Sequence, residues 1–250
     1  MNAVFPNCQI IRVKQTSSTN CYLLQLSEAE NLPEGSIVVT DNQTAGRGQA
    51  GNSWESEPGK NLTFSIILYP TSVKASGQFI LSKAISLAVY DFVSKFAPAD
   101  VSVKWPNDVY VSDKKITGIL IENFIEGAYL KKTIAGVGVN VNQERFSSDA
   151  PNPVSLRQLT GKTYSLENCL QALHKRIANR YRMIMEDTKQ LNSDYLRHLY
   201  RFGKLCRYRA NDVLFDATIT GVNNYGMIEM TKSNGEKMTY GFKEVFMAIK

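Results

Sequence analysis

The residues of this chain that could do chemistry fall in four polar clusters. The longest is Thr40 to Ser65, TDNQTAGRGQAGNSWESEPGKNLTFS, in which Arg47 stands between two glycines and the polar run reaches Trp54. The others are KWPND (Lys104 to Asp108), KITG (Lys115 to Gly118) and GVGVNVN (Gly136 to Asn142). Gly46, Gly48 and Gly51 let main-chain N–H groups approach a bound group closely, so a loop with one cation and one large aromatic suits an anionic, planar ligand such as a nucleotide or an acyl phosphate. Each cluster also has an ordinary reading: Lys104 as a solvent-facing strand residue, Pro106-Asn107-Asp108 as a plain turn, Asn140 and Asn142 as strand-edge residues. Together they offer cations for phosphate oxygens (Arg47, Lys115), a carboxylate for Mg²⁺ (Asp108), backbone donors and amides. That set meets the needs of carboxylate activation by ATP, which asks the protein for positioning and charge neutralisation as the carboxylate attacks the α-phosphate.

Strands must present these clusters. Cys8 to Lys14 alternates and is β-branched enough for a first strand; Ser17 to Asn20 then opens a helix marked by Tyr22, Leu23 and Leu26, with Ser18 or Thr19 placed to cap it. A helix start is also a ready site for an anion or a polar ligand head. Ser36 to Thr40 and Asn61 to Tyr69 read as strands on either side of the glycine loop, fixing its ends and leaving its centre free to move. A P-loop would lead into a helix with GK[ST] instead. Gly77 to Phe96 has the spacing of a long amphipathic helix, stopped by Pro98. Val101 to Trp105, Val109 to Val111 and Lys115 to Phe124 suggest an antiparallel meander, and Ala128 to Val141 one more strand or pair. A short helix is expected near Leu156. Leu166, Leu170, Leu173, Ile177, Tyr181 and Ile184 mark another helix, and a further helical segment should run through Tyr195, Leu199 and Phe202. His174 and His198, in these helices, read as surface or packing residues, since no partner spacing supports a metal or a relay. From Gly203 the pattern changes to short strands with turns such as Asn223 to Gly226 and Ser233 to Gly235, so a boundary is expected between residues 1–202 and a small barrel-like unit over 203–250.

The whole chain sets wider bounds. At 250 residues, 43% hydrophobic and 21% charged, it has the composition of an ordinary globular protein able to bury a core without disulfides or metal. Its net charge of +6 could favour an acidic protein, a polyphosphate or nucleic acid, but equally a solvated basic surface, and no dense Lys/Arg block forms a nucleic-acid tail. Four dispersed cysteines without CxxC or zinc spacing suggest reduced thiols. No apolar run approaches the roughly 18 residues of a membrane span, and the N-terminus has no signal-peptide pattern. A cytoplasmic protein is expected.

The ordered clusters resemble the biotin–protein ligases. Their pattern GRGRxGRxWxSPxGxNLxxS is similar to GRGQAGNSWESEPGKNLTFS, and KWPND, the Lys-x-x-Gly-x-Leu-x-Glu of Lys115 to Glu122, and GxGxNxN of Gly136 to Asn142 follow in the family's order. The resemblance covers essentially Cys8 to the end. It implies an α+β fold, a mixed, mostly antiparallel sheet with flanking helices of the class II synthetase-like kind, followed by a small C-terminal SH3-like β-barrel. It also implies a two-step reaction in which biotin and Mg-ATP give biotinyl-5′-AMP and pyrophosphate, and biotin passes to one lysine of a biotin carboxyl carrier protein domain. By motif position Ser18, Thr19, Asn20 and Gln43 would hold biotin, with Arg47, Gly48, Gln49, Lys115 and Gly118 around its carboxylate and the phosphate. Trp54 would pack on the adenine, while Lys104, Asn107, Asp108 and Asn140 would serve the nucleotide, Asp108 also its Mg²⁺. Lys115 and Arg47 would be catalytic, because fixed cations neutralise charge when two anions meet.

The chain departs from the pattern at Gln49 and Asn52, where the family has arginines. Fewer loop cations should weaken the grip on the phosphate, so biotinyl-AMP is expected to leak more readily. In the barrel, Lys243 and Glu244 of FKEV would approach the nucleotide. Some members carry an N-terminal winged helix-turn-helix; here no room is seen for one before Cys8, and DNA binding is not expected. Lipoate–protein ligases and octanoyltransferases share the fold but are expected to show an RRxSGGG-type loop. A nucleic-acid-binding module is a third reading, against which stands the lack of a basic, aromatic-rich strand face. Homodimerisation through a sheet edge stays open.

Overall fold

The computed structural model describes residues 4–97, 100–147 and 152–248. Its first half is β1 (Ile10–Thr16), α1 (Thr19–Ala29), β2 (Ile37–Gln43), β3 (Leu62–Leu68), α2 (Phe79–Val93), β4 (Val101–Lys104), β5 (Asp108–Val111), β6 (Lys114–Glu126) and β7 (Tyr129–Val139). These strands form one sheet in the order β1-β2-β3-β7-β6-β5-β4. Only β1 and β2 run parallel, as the α1 crossover between them requires; every other neighbour pair is antiparallel. The expected meander over 101–124 is present as β4, β5 and β6, and the residues after Ala128 form a single strand. Pro98, expected to end α2, lies outside the described residues.

The two faces of the sheet are covered unequally. Three further helices follow, α3 (Leu156–Thr160), α4 (Leu166–Glu186) and α5 (Thr188–Arg197). On one face α2 packs with α4 and α5 over Phe64, Ile66, Leu68, Ala135 and Val137, the main core. On the other, α1 covers a smaller cluster in which Leu23 meets Val38, Ile67 and Ile134. Because side chains alternate along a strand, Ile67 shares its face with Ser65 and Thr63, and Ile134 shares its face with Gly136 and Gly138. This face is therefore apolar beneath α1 and polar or bare beyond the start of α1.

Two expectations change. The last helix does not reach Leu199 and Phe202: it stops at Arg197, and the chain turns to pair with the outer edge of β4, Val103 donating to His198 O at 2.8 Å and accepting from Tyr200 N at 2.8 Å. An edge strand with unpaired backbone groups competes successfully for them. The C-terminal strands β8 (Leu205–Ala210), β9 (Val213–Val222), β10 (Ile228–Lys232), β11 (Lys237–Tyr240) and β12 (Phe246–Met247) form an antiparallel sheet ordered β11-β10-β9-β8-β12. Among the described residues no pairing joins β11 to β12, so the expected small SH3-like barrel takes the form of an antiparallel sheet that is not closed; a two-residue β12 has few ladder groups to offer.

The C-terminal sheet is packed against the first. Tyr208, Ala217, Ile219 and Ile228 belong to the main core, and Trp105 Nε1 donates to Gly226 O at 2.8 Å. Both histidines are packing residues, as expected. The His174 ring stacks on Phe5 and donates from Nε2 to Gly35 O at 3.0 Å, and His198 stacks on Tyr90 with centroids 4.0 Å apart.

Candidate functional site

One register row crosses the sheet on its bare half: Thr40, Thr63, Gly138, Gly118, Asp108 and Lys104 are successive cross-strand partners. Cross-strand partners share a face, so this row carries the glycine, carboxylate and lysine clusters onto one floor. A cavity of about 610 Å³ lies over it, within the range of small-molecule sites. Lys115 should not belong here, because it stands three residues before Gly118 and simple alternation would turn it to the opposite face. A β-bulge corrects this. Val109 pairs with Thr117 but Tyr110 with Lys115, so Ile116 is the extra residue, and Lys115 swings onto the face of Asp108.

The Lys115 Nζ then lies 2.8 Å from Asp108 Oδ1. Lys104 Nζ lies 3.1 Å from the Tyr110 hydroxyl and 4.6 Å from its ring centre. Burial pushes the Asp108 carboxyl up, opposed first by Lys115 and then by Lys104. Burial pulls the Lys104 ammonium down, opposed by Asp108 and reinforced by Lys115. Two cations thus share one anion in a poorly hydrated place, a site that gains from a further negative charge. Asp108 does not suit a resident divalent ion, which would have to displace the Lys115 ammonium. Among the described residues no group of three or more His, Cys, Asp or Glu is placed to hold a metal.

The glycine loop closes over this floor as a small hairpin. Gly48 N donates to Asn52 O at 2.7 Å and Trp54 N to Gly46 O at 2.9 Å, with Gly51 at the tip in a φ of 86°. The Trp54 indole lies on the bare backbone of β6 and β7: a Cβ at Gly138 would fall 2.3 Å from the ring and one at Gly118 2.9 Å. Lys115 Nζ is 5.9 Å from the centre of the indole, within cation–π range. Trp54 Nε1 and Gln49 Oε1 are both buried without a hydrogen-bond partner.

At the start of α1 a chain of polar side chains begins in the cavity wall with Thr19, Asn20, Gln43 and Arg47 and continues beyond its lining through Ser65 and Glu122. Gln43 Oε1 accepts from Thr19 N at 2.9 Å, and Ser65 Oγ lies 2.7 Å from Thr19 Oγ1 and 2.5 Å from Asn20 Oδ1. Asn20 Nδ2 donates to Glu122 Oε2 at 2.6 Å, and Glu122 Oε1 accepts from Arg47 at 3.1 Å. Ser18 occupies the N-cap position, but its side chain makes no cap hydrogen bond, so its hydroxyl is not committed to the helix.

Of the residues expected at the site, Ser18, Thr19, Asn20, Gln43, Arg47, Gly48, Gln49, Trp54, Lys104, Asn107, Asp108, Lys115 and Gly118 all line this cavity. Asn140 is not brought to its wall: it is buried beside α3, where Nδ2 donates to Val154 O at 3.1 Å. Asn107 lines the wall while its own Nδ2 is tied to Ile119 O. Lys243 also lines the cavity, with a φ of 66°, whereas Glu244 folds back to accept from Gly241 N at 2.6 Å. Sequence reasoning gave no role to Glu122, Ser65, Tyr110, Tyr200 or Trp105, nor to Phe242 and Met247 of the C-terminal sheet. Glu122 and Ser65 could have been found from strand alternation, being in phase with Gly118 and Thr63; the C-terminal residues carry no such local signal.

The Biotin/lipoate A/B protein ligase family model matches residues 12–140. The bifunctional ligase/repressor BirA of Bacillus spizizenii is 31% identical over 220 residues, covering 84% of this chain and 66% of that protein, so the chain spans a little under two thirds of that relative's length. The biotin–[acetyl-CoA-carboxylase] ligase of Mycobacterium tuberculosis is 30% identical over 202 residues, 80% of this chain and 74% of that one. The structure of the biotin protein ligase from Aquifex aeolicus in complex with biotin and ATP superposes with a TM-score of 0.78 at 25% identity, over 96% of this chain and 99% of that one. With the family model spanning more than half of its length and a relative this similar over most of both chains, the chain belongs to the Biotin/lipoate A/B protein ligase family.

Proposed function

We propose that this chain activates biotin with ATP to biotinyl-5′-AMP and transfers the biotinyl group to a lysine of a biotin carboxyl carrier protein domain. The observation that carries this reading is one cavity lined at the start of α1 by neutral hydrogen-bonding side chains (Ser18, Thr19, Asn20, Gln43) and at its other end by the Lys104, Asp108 and Lys115 cluster, with Arg47 also in its wall. Biotin is divided likewise, a ureido group at one end and a carboxylate at the other. In the first step the carboxylate oxygen attacks the α-phosphorus, and the bond to the leaving pyrophosphate breaks. Lys115 and Arg47 are the residues we assign to the charge that accumulates there, Trp54 the adenine, and Asn107 and Lys104 the nucleotide wall. In the second step the carrier lysine, as a free amine, attacks the acyl carbon; AMP leaves and the amine proton is lost. ATP is taken with its own magnesium, the ion belonging to the substrate.

Lipoate or octanoate is the competing substrate within the family. Enzymes for those acids are expected to show an RRxSGGG-type loop, whereas the loop here reads GRGQAGNSW (Gly46 to Trp54), which favours biotin. Residues 1–202 then form the catalytic unit and 203–250 the smaller one. The outer edge of β1 is the surface we favour for a homodimer, and the four unpaired cysteines fit a cytoplasmic setting; among the described residues no helix is long and apolar enough to cross a membrane.

The test is biotin-dependent exchange of pyrophosphate into ATP. Wild-type protein is expected to exchange with biotin and not with lipoate, and Lys115→Met to lose about 100-fold or more, the usual penalty for removing a fixed group that stabilises developing charge. Exchange with lipoate but not biotin would overturn the substrate assignment.

A further inference from the structure

We propose that Glu122 is a positioning residue that competes with the ligand's anion for Arg47, holding that side chain at the cavity and coupling the glycine loop to the polar end of the site. This rests on the activity proposed above. Glu122 stands on β6 two turns of the alternation past Gly118, and its two oxygens serve two elements at once. Oε2 accepts from Asn20 Nδ2 at 2.6 Å, and Arg47 NH2 lies 3.1 Å from Oε1 and 3.3 Å from Oε2.

The Asn20 contact fixes which way that amide faces. A carboxylate only accepts, so it draws Nδ2 toward itself and toward Leu120 O, 3.3 Å away, and leaves Oδ1 to Ser65. Gly136 makes room, since a Cβ there would fall 2.3 Å from Asn20 Oδ1. Glu122 thereby determines which donors and acceptors the polar end presents.

The Arg47 contact is of another kind. Arg47 is carried by a hairpin whose backbone bonds are internal and which rests on the sheet through Trp54, and its side chain is 48% exposed against 34% for Glu122. An ion pair this open to water shifts an equilibrium by no more than about fivefold. It is strong enough to bias the loop toward the sheet and weak enough to be exchanged for a bound carboxylate or phosphate. On that exchange Glu122 keeps Asn20 alone. Binding at one end of the cavity and arginine transfer at the other are then linked through a single side chain, and the linkage is reciprocal.

The experiment compares biotin with its uncharged amide by calorimetry, on wild type, Glu122→Gln and Glu122→Ala, and follows amide hydrogen exchange of residues 46–54 in the ligand-free proteins. Glu122→Gln retains an acceptor for Asn20 but no charge to compete for Arg47. It is expected to bind biotin about three- to fivefold more tightly, to bind the amide unchanged, and to lose the difference at about 0.5 M salt, where the Debye length is only a few ångströms. Glu122→Ala should weaken both ligands. Exchange in the loop should rise several-fold in Glu122→Gln and also in Arg47→Gln, which breaks the pair from the other side and serves if the first variant does not fold. Equal changes for biotin and its amide, or loop exchange that stays at the wild-type rate, would overturn the proposal. Wild-type protein that binds no biotin would overturn the substrate assignment instead, and the loop exchange would still judge Glu122.

Discussion

Gln49 lies in the cavity wall with its amide oxygen buried and unpaired, where the family pattern has an arginine. A side chain with an idle acceptor costs free energy until something donates to it, and it brings no positive charge to a phosphate. On the function proposed above, the grip on an acyl-adenylate would rest on Arg47, Lys104 and Lys115. Replacing Gln49 by arginine is expected to slow release of biotinyl-AMP about five- to tenfold, the scale of one charge-assisted hydrogen bond; equal dissociation rates in a rapid-dilution chase would show that the missing charge is irrelevant. At this scale the sequence was informative about types and silent about direction. Arg47, Asp108 and Trp54 could be picked out by chemistry alone, but that Lys115 reaches Asp108 depends on a bulge at Ile116 that no residue in KITG announces. Asn140 shows the converse, a motif position whose amide nitrogen is used inside the fold.

Among elements, the three helices that pack behind the sheet are also tied together by a partly buried ionic junction. Arg180 of α4 reaches Asp91 of α2 through Nε and NH2 at 2.7 and 2.9 Å, and Asp194 of α5 through NH1 at 2.6 Å. Removing the arginine leaves two carboxylates facing each other in a partly buried place. Arg180→Met is expected to lose about 1–3 kcal/mol in urea unfolding, between the cost of stripping an exposed ion pair and that of stripping a buried one. Pyrophosphate exchange should persist, because the junction lies on the face away from the cavity. Elements were the most legible scale: strand alternation and the 3.6-residue stripe of α4 locate nearly every strand and helix to within a few residues. Where tertiary pairing overrides local pattern the reading failed. Leu199 and Phe202 continue the helical spacing, yet the backbone around them is drawn off to the edge of β4 and to Ile219.

For the molecule as a whole, both histidines connect protonation to stability. Burial lowers the affinity of His174 for a proton, partly offset by its bond to Gly35, and burial likewise lowers that of His198, with Asp194 opposing. The unfolded chain therefore takes up protons near pH 6.5 while the folded chain still resists them. The stability these rings contribute is complete above that pH and is lost as pH falls through their lower folded values. The urea midpoint is expected to drop between pH 7.5 and 5, and His174→Gln, which can still donate to Gly35, to show a smaller drop; identical pH slopes for the two proteins would exclude this origin. The closure of the cavity by the C-terminal sheet is also a property of the whole chain. Phe242 and Met247 sit more than a hundred residues from the glycine loop with which they share the cavity wall, and nothing in a short motif reports such a placement.

The seat of Trp54 on Gly118 and Gly138 has a practical side. The chain has two tryptophans, and the second, Trp105, lines the same cavity and bonds to the C-terminal sheet. All of its indole emission thus arises at the site, one ring on the sheet floor beneath the loop and the other at the junction with the C-terminal strands. Intrinsic fluorescence is a label already in place, reporting occupancy of the cavity without any dye or tag.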